Sequence, residues 1–188
     1  NRASFIKSTR HFDGYTTELE AQYAAGKEAG KADPKLCWRI FELWVNAGQW
    51  AKASQWGRTG LEDHPEAYGT RWKLDDVAWA EMLAAEWAQS QAHWAAALEA
   101  RHGKRANARF YEGFTAYHAG DLEAAEAGLT RAIEANPTWR TAGYYWRAKV
   151  RDAAGDAAGA QADRDQVNQR DLSGWYRMLL DPSGPADG

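Results

Sequence analysis

The sequence predicts an all-α fold: a right-handed α-α superhelix of about four helix-turn-helix repeats, preceded by one N-terminal helix. Three observations carry this. The tripeptide Gly48-Gln49-Trp50 is echoed by Ala85-Glu86-Trp87, Gly120-Asp121-Leu122 and Gly155-Asp156-Ala157, at spacings of 37, 35 and 35 residues. A period near 35 marks a repeat array. Apolar residues recur every three or four positions, as in Leu36, Ile40, Leu43 and in Leu122, Ala125, Leu129, Ala132, Ile133, which is helical spacing and not the alternation of a strand. Side chains that are mostly small also keep a fixed place in each unit: Phe41, Ala78, Gly113 and Ala148 before the turn, then Ala53, Ser90, Ala125 and Ala160, then Gly60, Ala97, Ala132 and Val167. Those are the points where two helices touch closely.

Each element follows in order. Residues 1–33 form an N-terminal segment whose capping helix spans 15–31, with Tyr15, Leu19 and Tyr23 on one face. Four pairs then occupy 34–67, 71–104, 106–139 and 141–174. Pro65 and Pro137 stop the second helices of the first and third pairs, because proline cannot continue a helix. Residues 175–188 make a short cap and a tail, Asp181-Pro182-Ser183-Gly184-Pro185-Ala186-Asp187-Gly188, of turn and linker composition.

The 188 residues are 45% apolar and 26% charged, the balance of a globular chain. Lys and Arg total 23 against 26 Asp and Glu, a formal charge of -3, so no basic field draws nucleic acid or an anionic membrane. No run approaches the roughly 18 to 20 apolar residues of a membrane span. The chain begins Asn1-Arg2-Ala3 with neither an initiator Met nor a leader, as a processed or trimmed chain would. One Cys closes no intrachain disulfide and leaves the redox compartment open. The unusual feature is aromatic: 11 Trp, 8 Tyr and 5 Phe.

Laid out in this register, residues 34–174 resemble the tetratricopeptide family, whose 34-residue unit has small residues at its eighth, twentieth and twenty-seventh positions and Pro at the thirty-second. The resemblance is strongest at 106–139, through Gly113, Tyr117, Gly120-Asp121, Ala125, Leu129, Ala132 and Pro137. The second unit lacks the turn Gly and the closing Pro, and the last carries Arg164 where an apolar residue is expected, as a terminal repeat facing water does. A narrower resemblance, over Tyr144-Tyr145-Trp146-Arg147-Ala148, Gly155-Asp156, Ala160, Trp175-Tyr176 and Leu179, is to the noncatalytic helical superhelix of soluble lytic transglycosylases. That kinship implies a bacterial, peptidoglycan-associated chain, periplasmic or secreted; without it the cytoplasm is the expectation. The catalytic Glu-Ser pair of that family has no counterpart, since no Glu here precedes a Ser.

No catalytic site is expected. The sequence holds no phosphate loop, nucleophile elbow or dinucleotide fingerprint, and no cofactor is implied. Cys37 reads as a small buried thiol. The five His, at 11, 64, 93, 102 and 118, lack the spacing that places two metal ligands on one helix face. The basic run Arg101 to Arg105 reads as a solvated loop between pairs, with an anion-binding patch as the alternative.

Binding is therefore the expected function, on the concave side that the first helices of such arrays line. The inward positions supply the candidate binding residues: Trp38, Arg39, Trp72, Trp79, Phe110, Tyr111, Phe114, Tyr145, Trp146 and Lys149. Of these, Trp38, Trp72, Trp79, Tyr111 and Tyr145 are expected to be exposed, whereas Trp44, Trp50, Trp56, Trp87 and Trp94 are expected to be structural. Flat rings at this density suit a protein or peptide partner, or the apolar face of a peptidoglycan sugar. The peptide-carboxylate clamp of some tetratricopeptide proteins fits poorly, since Trp38 and Glu42 stand where its Lys and Asn belong.

Overall fold

A computed structural model describes residues 2–67, 73–100, 106–135, 140–171 and 173–180, with side chains from Phe12 onward. Trp72, the basic loop 101–105, Pro137 and the tail 181–188 lie outside the described residues. Ten helices and no strand are found among the described residues. They fall into two compact units that divide between Glu86 and Trp87. The first unit holds α1 (Arg2–Glu28), α2 (Pro34–Asn46), α3 (Trp50–Asp63) and α4 (Leu74–Leu83). The second holds α5 (Trp87–Ala100), α6 (Ala106–Ala119), α7 (Leu122–Ala135), α8 (Arg140–Ala154), α9 (Ala157–Arg170) and α10 (Trp175–Leu180). The division falls inside the span 71–104. The N-terminal helix is longer than the expected 15–31 and begins at Arg2.

The recurring tripeptides are helix-ending turns of one kind. After α2, Gly48 N–H donates to the Val45 carbonyl and Gln49 N–H to that of Trp44; after α6, Gly120 and Asp121 donate to Tyr117 and Ala116; after α8, Gly155 and Asp156 donate to Asp152 and Arg151. This paired closure needs a left-handed residue, which glycine adopts without a Cβ clash, and Gly48, Gly120 and Gly155 have φ of 66°, 86° and 83°. The turn after α4 makes the same two bonds, from Ala85 to Met82 and Glu86 to Glu81. Its Ala85 is held at φ 60°, alone among the described non-glycine residues. Left-handed backbone costs an L-residue about 1 kcal/mol. Ala85→Gly is therefore expected to raise the melting temperature by a few degrees, as read by calorimetry.

Every one of the residues kept at a fixed place before and after the turns is buried, from Phe41, Ala53 and Gly60 to Ala148, Ala160 and Val167. Small size there permits close helix approach. In the second unit, Gly113 on α6 and Gly128 on α7 meet backbone to backbone. In the first, Gly57 of α3 sits under Val77 and Phe41, and Gly60 under the Trp38 ring.

The N-terminal helix is tied down by polar as well as apolar contacts. Leu19, Tyr23 and the partly buried Phe12 join the core of Ile40, Phe41, Trp44 and Val77. One Glu20 carboxylate oxygen accepts from two indoles, Trp44 Nε1 at 2.9 Å and Trp56 Nε1 at 3.0 Å. That satisfies the polar edge of both rings, a partner that Trp38 Nε1 and Trp94 Nε1, also buried, do not find.

Candidate functional site

In the first unit the candidate residues separate. Trp38 is 9% exposed, a correction to its expected exposure. The cause is Gly60: a Cβ there would lie 2.7 Å from the ring, so the missing side chain makes the slot the indole fills. Arg39 is exposed and engages Tyr15 of α1, hydrogen-bonding its hydroxyl with the guanidinium 5.7 Å from the ring centroid. Trp79 of α4 is 38% exposed, in line with its expected exposure.

Trp79 forms one wall of a cleft of about 360 Å³ between α2 and α4, lined with it by Phe41, Glu42, Val45, Asn46, Lys73 and Asp76. Pro34 at the helix start and the Asp33 side chain, which accepts from Lys35 N–H at 2.9 Å, fix where α2 begins. Its later turns then present Glu42, Val45 and Asn46 in succession. Lys73 immediately precedes α4 and places its ammonium 2.8 Å from Glu42 and 3.7 Å from Asp76. The cleft thus combines an exposed indole, apolar walls and two carboxylates that pair with Lys73. Of the lining residues only Trp79 is among the sequence candidates; the others join it because α2 and α4 bring them to the same cleft.

In the second unit the candidate rings gather into one aromatic layer. Phe110 stacks on Phe114 at 6.1 Å, Phe114 meets Trp146 edge-on at 4.7 Å, and Tyr111 stacks on Trp94 at 5.2 Å. Lys149 lies 5.2 Å from the Tyr145 centroid and 5.9 Å from that of Trp146. Phe110 and Tyr145 are each 6% exposed. For Tyr145 this corrects the expectation: Tyr176 of α10 comes within 5.5 Å and helps bury it. Tyr111 is half-buried, a correction to its expected exposure caused by its stacking on Trp94, and Phe114 and Trp146 are half-buried too. His118, weighed in the sequence only as a metal ligand, belongs to this layer, stacked on Trp87 at 4.4 Å. The signal was its position one turn after Phe114 on the same face. Burial among the rings holds its pKa below the ordinary imidazole value.

Two clusters escaped the sequence reading. On α1 and α3, Tyr23 donates to Asp63 at 2.9 Å, His64 Nε2 lies 2.8 Å from the same hydroxyl, and Lys27 pairs with Asp63 at 2.7 Å. On α8 and α9, Asp163 is nearly buried yet receives Arg147 at 2.7 and 2.9 Å and Arg151 at 3.0 Å. Arg164, at the expected apolar position, ion-pairs with Asp152. All of these contacts join helices and none lines the cleft.

Cys37 is fully buried, with Sγ 3.7 Å from the Trp56 carbonyl. Burial pushes its thiol from the ordinary value near 9 up to about 11. A raised acid favours the folded, protonated form, so this contribution is present below about pH 9 and lost as pH rises toward 11. Cys37 is expected to ignore Ellman's reagent at pH 8 until the chain unfolds, and Cys37→Ala to lose less stability than wild type between pH 9 and 11.

The fold is an array of stacked helix pairs of the kind seen in tetratricopeptide-repeat structures. Solved structures share it: MamA MSR-1 (TM-score 0.68, 16% identity, 89% of this chain and 91% of that one), and a Podosopora anserina putative kinesin light chain with nearly identical TPR-like repeats (0.59, 13%, 96% and 93%). A thermophilic TPR protein of Thermus thermophilus also matches (0.51, 18%, 94% and 92%). The sequence matches no family model and no curated protein.

Proposed function

We propose that the chain is a non-enzymatic helical-repeat scaffold that binds a protein or peptide partner on the aromatic faces of its first helices. The observation that carries this reading is the cleft beside Trp79. A large ring left 38% exposed beside apolar walls and charged side chains supports the reading, because ligand clefts combine apolar walls with a few convergent polar groups. The tetratricopeptide-type fold supports it, because stacked helix pairs offer extended surfaces to partners. The half-buried rings Tyr111, Phe114 and Trp146 add a second apolar face that a partner could cover. Among the described residues no helix is long and apolar enough to cross a membrane.

Selection from a displayed random-peptide library, run beside sedimentation with purified peptidoglycan sacculi, tests the reading. Enrichment of related peptides that bind the wild type is the expected result. Retention on sacculi with no peptide enriched would replace the reading with the noncatalytic, peptidoglycan-associated alternative.

A further inference from the structure

We infer that His118 is an acid-sensitive pin in the second unit: its neutral imidazole holds Trp87, the first residue of α5, against α6 and α8, and its protonation releases that residue. The inference stands apart from the cleft and from the scaffold reading.

His118 lies in the last turn of α6 and Trp87 opens α5. The imidazole stacks flat on the indole, with centroids 4.4 Å apart and planes at 22°. Phe114 at 4.6 Å, Tyr117 at 5.3 Å and Trp146 of α8 at 5.6 Å close around it. One side chain thus touches rings of three helices. Ring contact is also what holds it: among the described residues His118 makes no hydrogen bond or ion pair.

That arrangement suits one protonation state. A neutral imidazole offers a flat face to pack, like the other rings. An imidazolium carries a charge and two N–H donors that need acceptors or water. The indole faces attract a cation, but the covering rings keep water away, and this desolvation holds the imidazole below its ordinary value of 6.5. The residue itself remains exposed, so a proton reaches it and the charged ring can turn out into water without unwinding α6. Trp87 then keeps Phe114, edge-on at 6.2 Å, as its remaining ring neighbour.

The charged groups on the surrounding elements are engaged elsewhere. Asp121, at the start of α7, accepts from Gln91 and from Ala124 N–H, and Glu123 is exposed. On α8, Lys149 lies by Tyr145 and Trp146, while Arg147 and Arg151 reach Asp163. Glu86, just before α5, pairs with Arg58, and Glu112 of α6 with Arg131. His93 and Arg109 stand more than a turn from Trp87 and His118 along α5 and α6. Desolvation, and none of these charges, is what lowers His118. The unfolded chain therefore takes up this proton first, so the pin is fully closed above about pH 6.5 and is lost as the pH falls through the lowered value.

The test is an NMR titration of the full chain from about pH 8 to about pH 4.5, the range in which histidine changes charge. It follows the His118 ring protons and the Trp87 indole N–H, assigned with His118→Phe and Trp87→Phe. The expected result is a His118 midpoint below that of the same residue in urea, with the Trp87 resonance moving at that midpoint. Amides in the first two turns of α5 should open more readily in acid, by up to tenfold for each pH unit that separates the two midpoints. His118→Phe keeps a flat ring without the charge and should hold Trp87 across the range. If that variant fails to fold, the wild-type titration decides alone. A midpoint at or above the urea value, a Trp87 resonance and α5 amides that stay indifferent while His118 titrates, or the same acid response in a folded His118→Phe overturns the inference.

Discussion

Gly128→Leu is expected to unfold the second unit at temperatures where the wild type is intact. A Cβ at Gly128 would sit 2.8 Å from Gly113 Cα and 2.9 Å from Gly113 N. One at Gly113 would sit 2.7 Å from Leu129 N. The obstacles are backbone, which no rotamer change removes, so α6 and α7 must separate or unwind. Overpacking of this kind costs about 3 kcal/mol or more, and each kcal/mol shifts the midpoint of a unit of this size by roughly 4 to 8 °C. A fall of more than about 12 °C is expected by circular dichroism. Gly14→Leu is the control, since nothing lies within 4 Å of a Cβ there; it should melt near wild type. A Gly128→Leu protein that also melts with wild type would show that the two helices do not touch at this point.

Asp163→Ala should be the next most damaging change. Asp163 is 2% exposed and neutralises two arginines of α8, which also reach α7 through Thr130 at 2.9 Å and Glu126 at 2.8 Å. Removing the carboxylate leaves Arg147 with a charge and donors in a nearly dry site, and breaking such a pair costs about 3 to 5 kcal/mol. Replacing both partners, as Asp163→Leu with Arg147→Met, should recover most of the loss, because an apolar pair avoids the desolvation of two ions. Urea midpoints for the single and double variants check this. Equal damage in both would assign the effect to packing instead of charge.

The turns and the small residues around them were legible because they are backbone demands. Only glycine closes these turns without strain, and only a small residue fits between touching helices. Ala85 shows how strongly the fold imposes its turn, since alanine is carried into the left-handed region where the sequence omits glycine. The fate of a ring was less legible. Trp38 and Trp79 are both inward tryptophans on first helices, but Trp38 has Gly60 beneath it and is swallowed, whereas Trp79 stands at the cleft. That difference lies on another helix and leaves no mark in local periodicity. The same holds for Asp163, Glu81 and Glu20, which nothing in the local sequence pattern singles out. Only the assembled unit shows Asp163 between two arginines, Glu81 beside Arg58, and Glu20 under two indoles.

The central claim is that binding is carried by the cleft beside Trp79, and the affinity of wild type and Trp79→Ala for one library-selected peptide tests it most directly. Both proteins are melted in parallel. The account predicts a loss of about thirtyfold, the weight of an aromatic anchor of about 2 kcal/mol, with a melting temperature within a few degrees of wild type because the ring is already partly in water. Unchanged affinity in a folded variant, or unfolding in step with the lost binding, would contradict it.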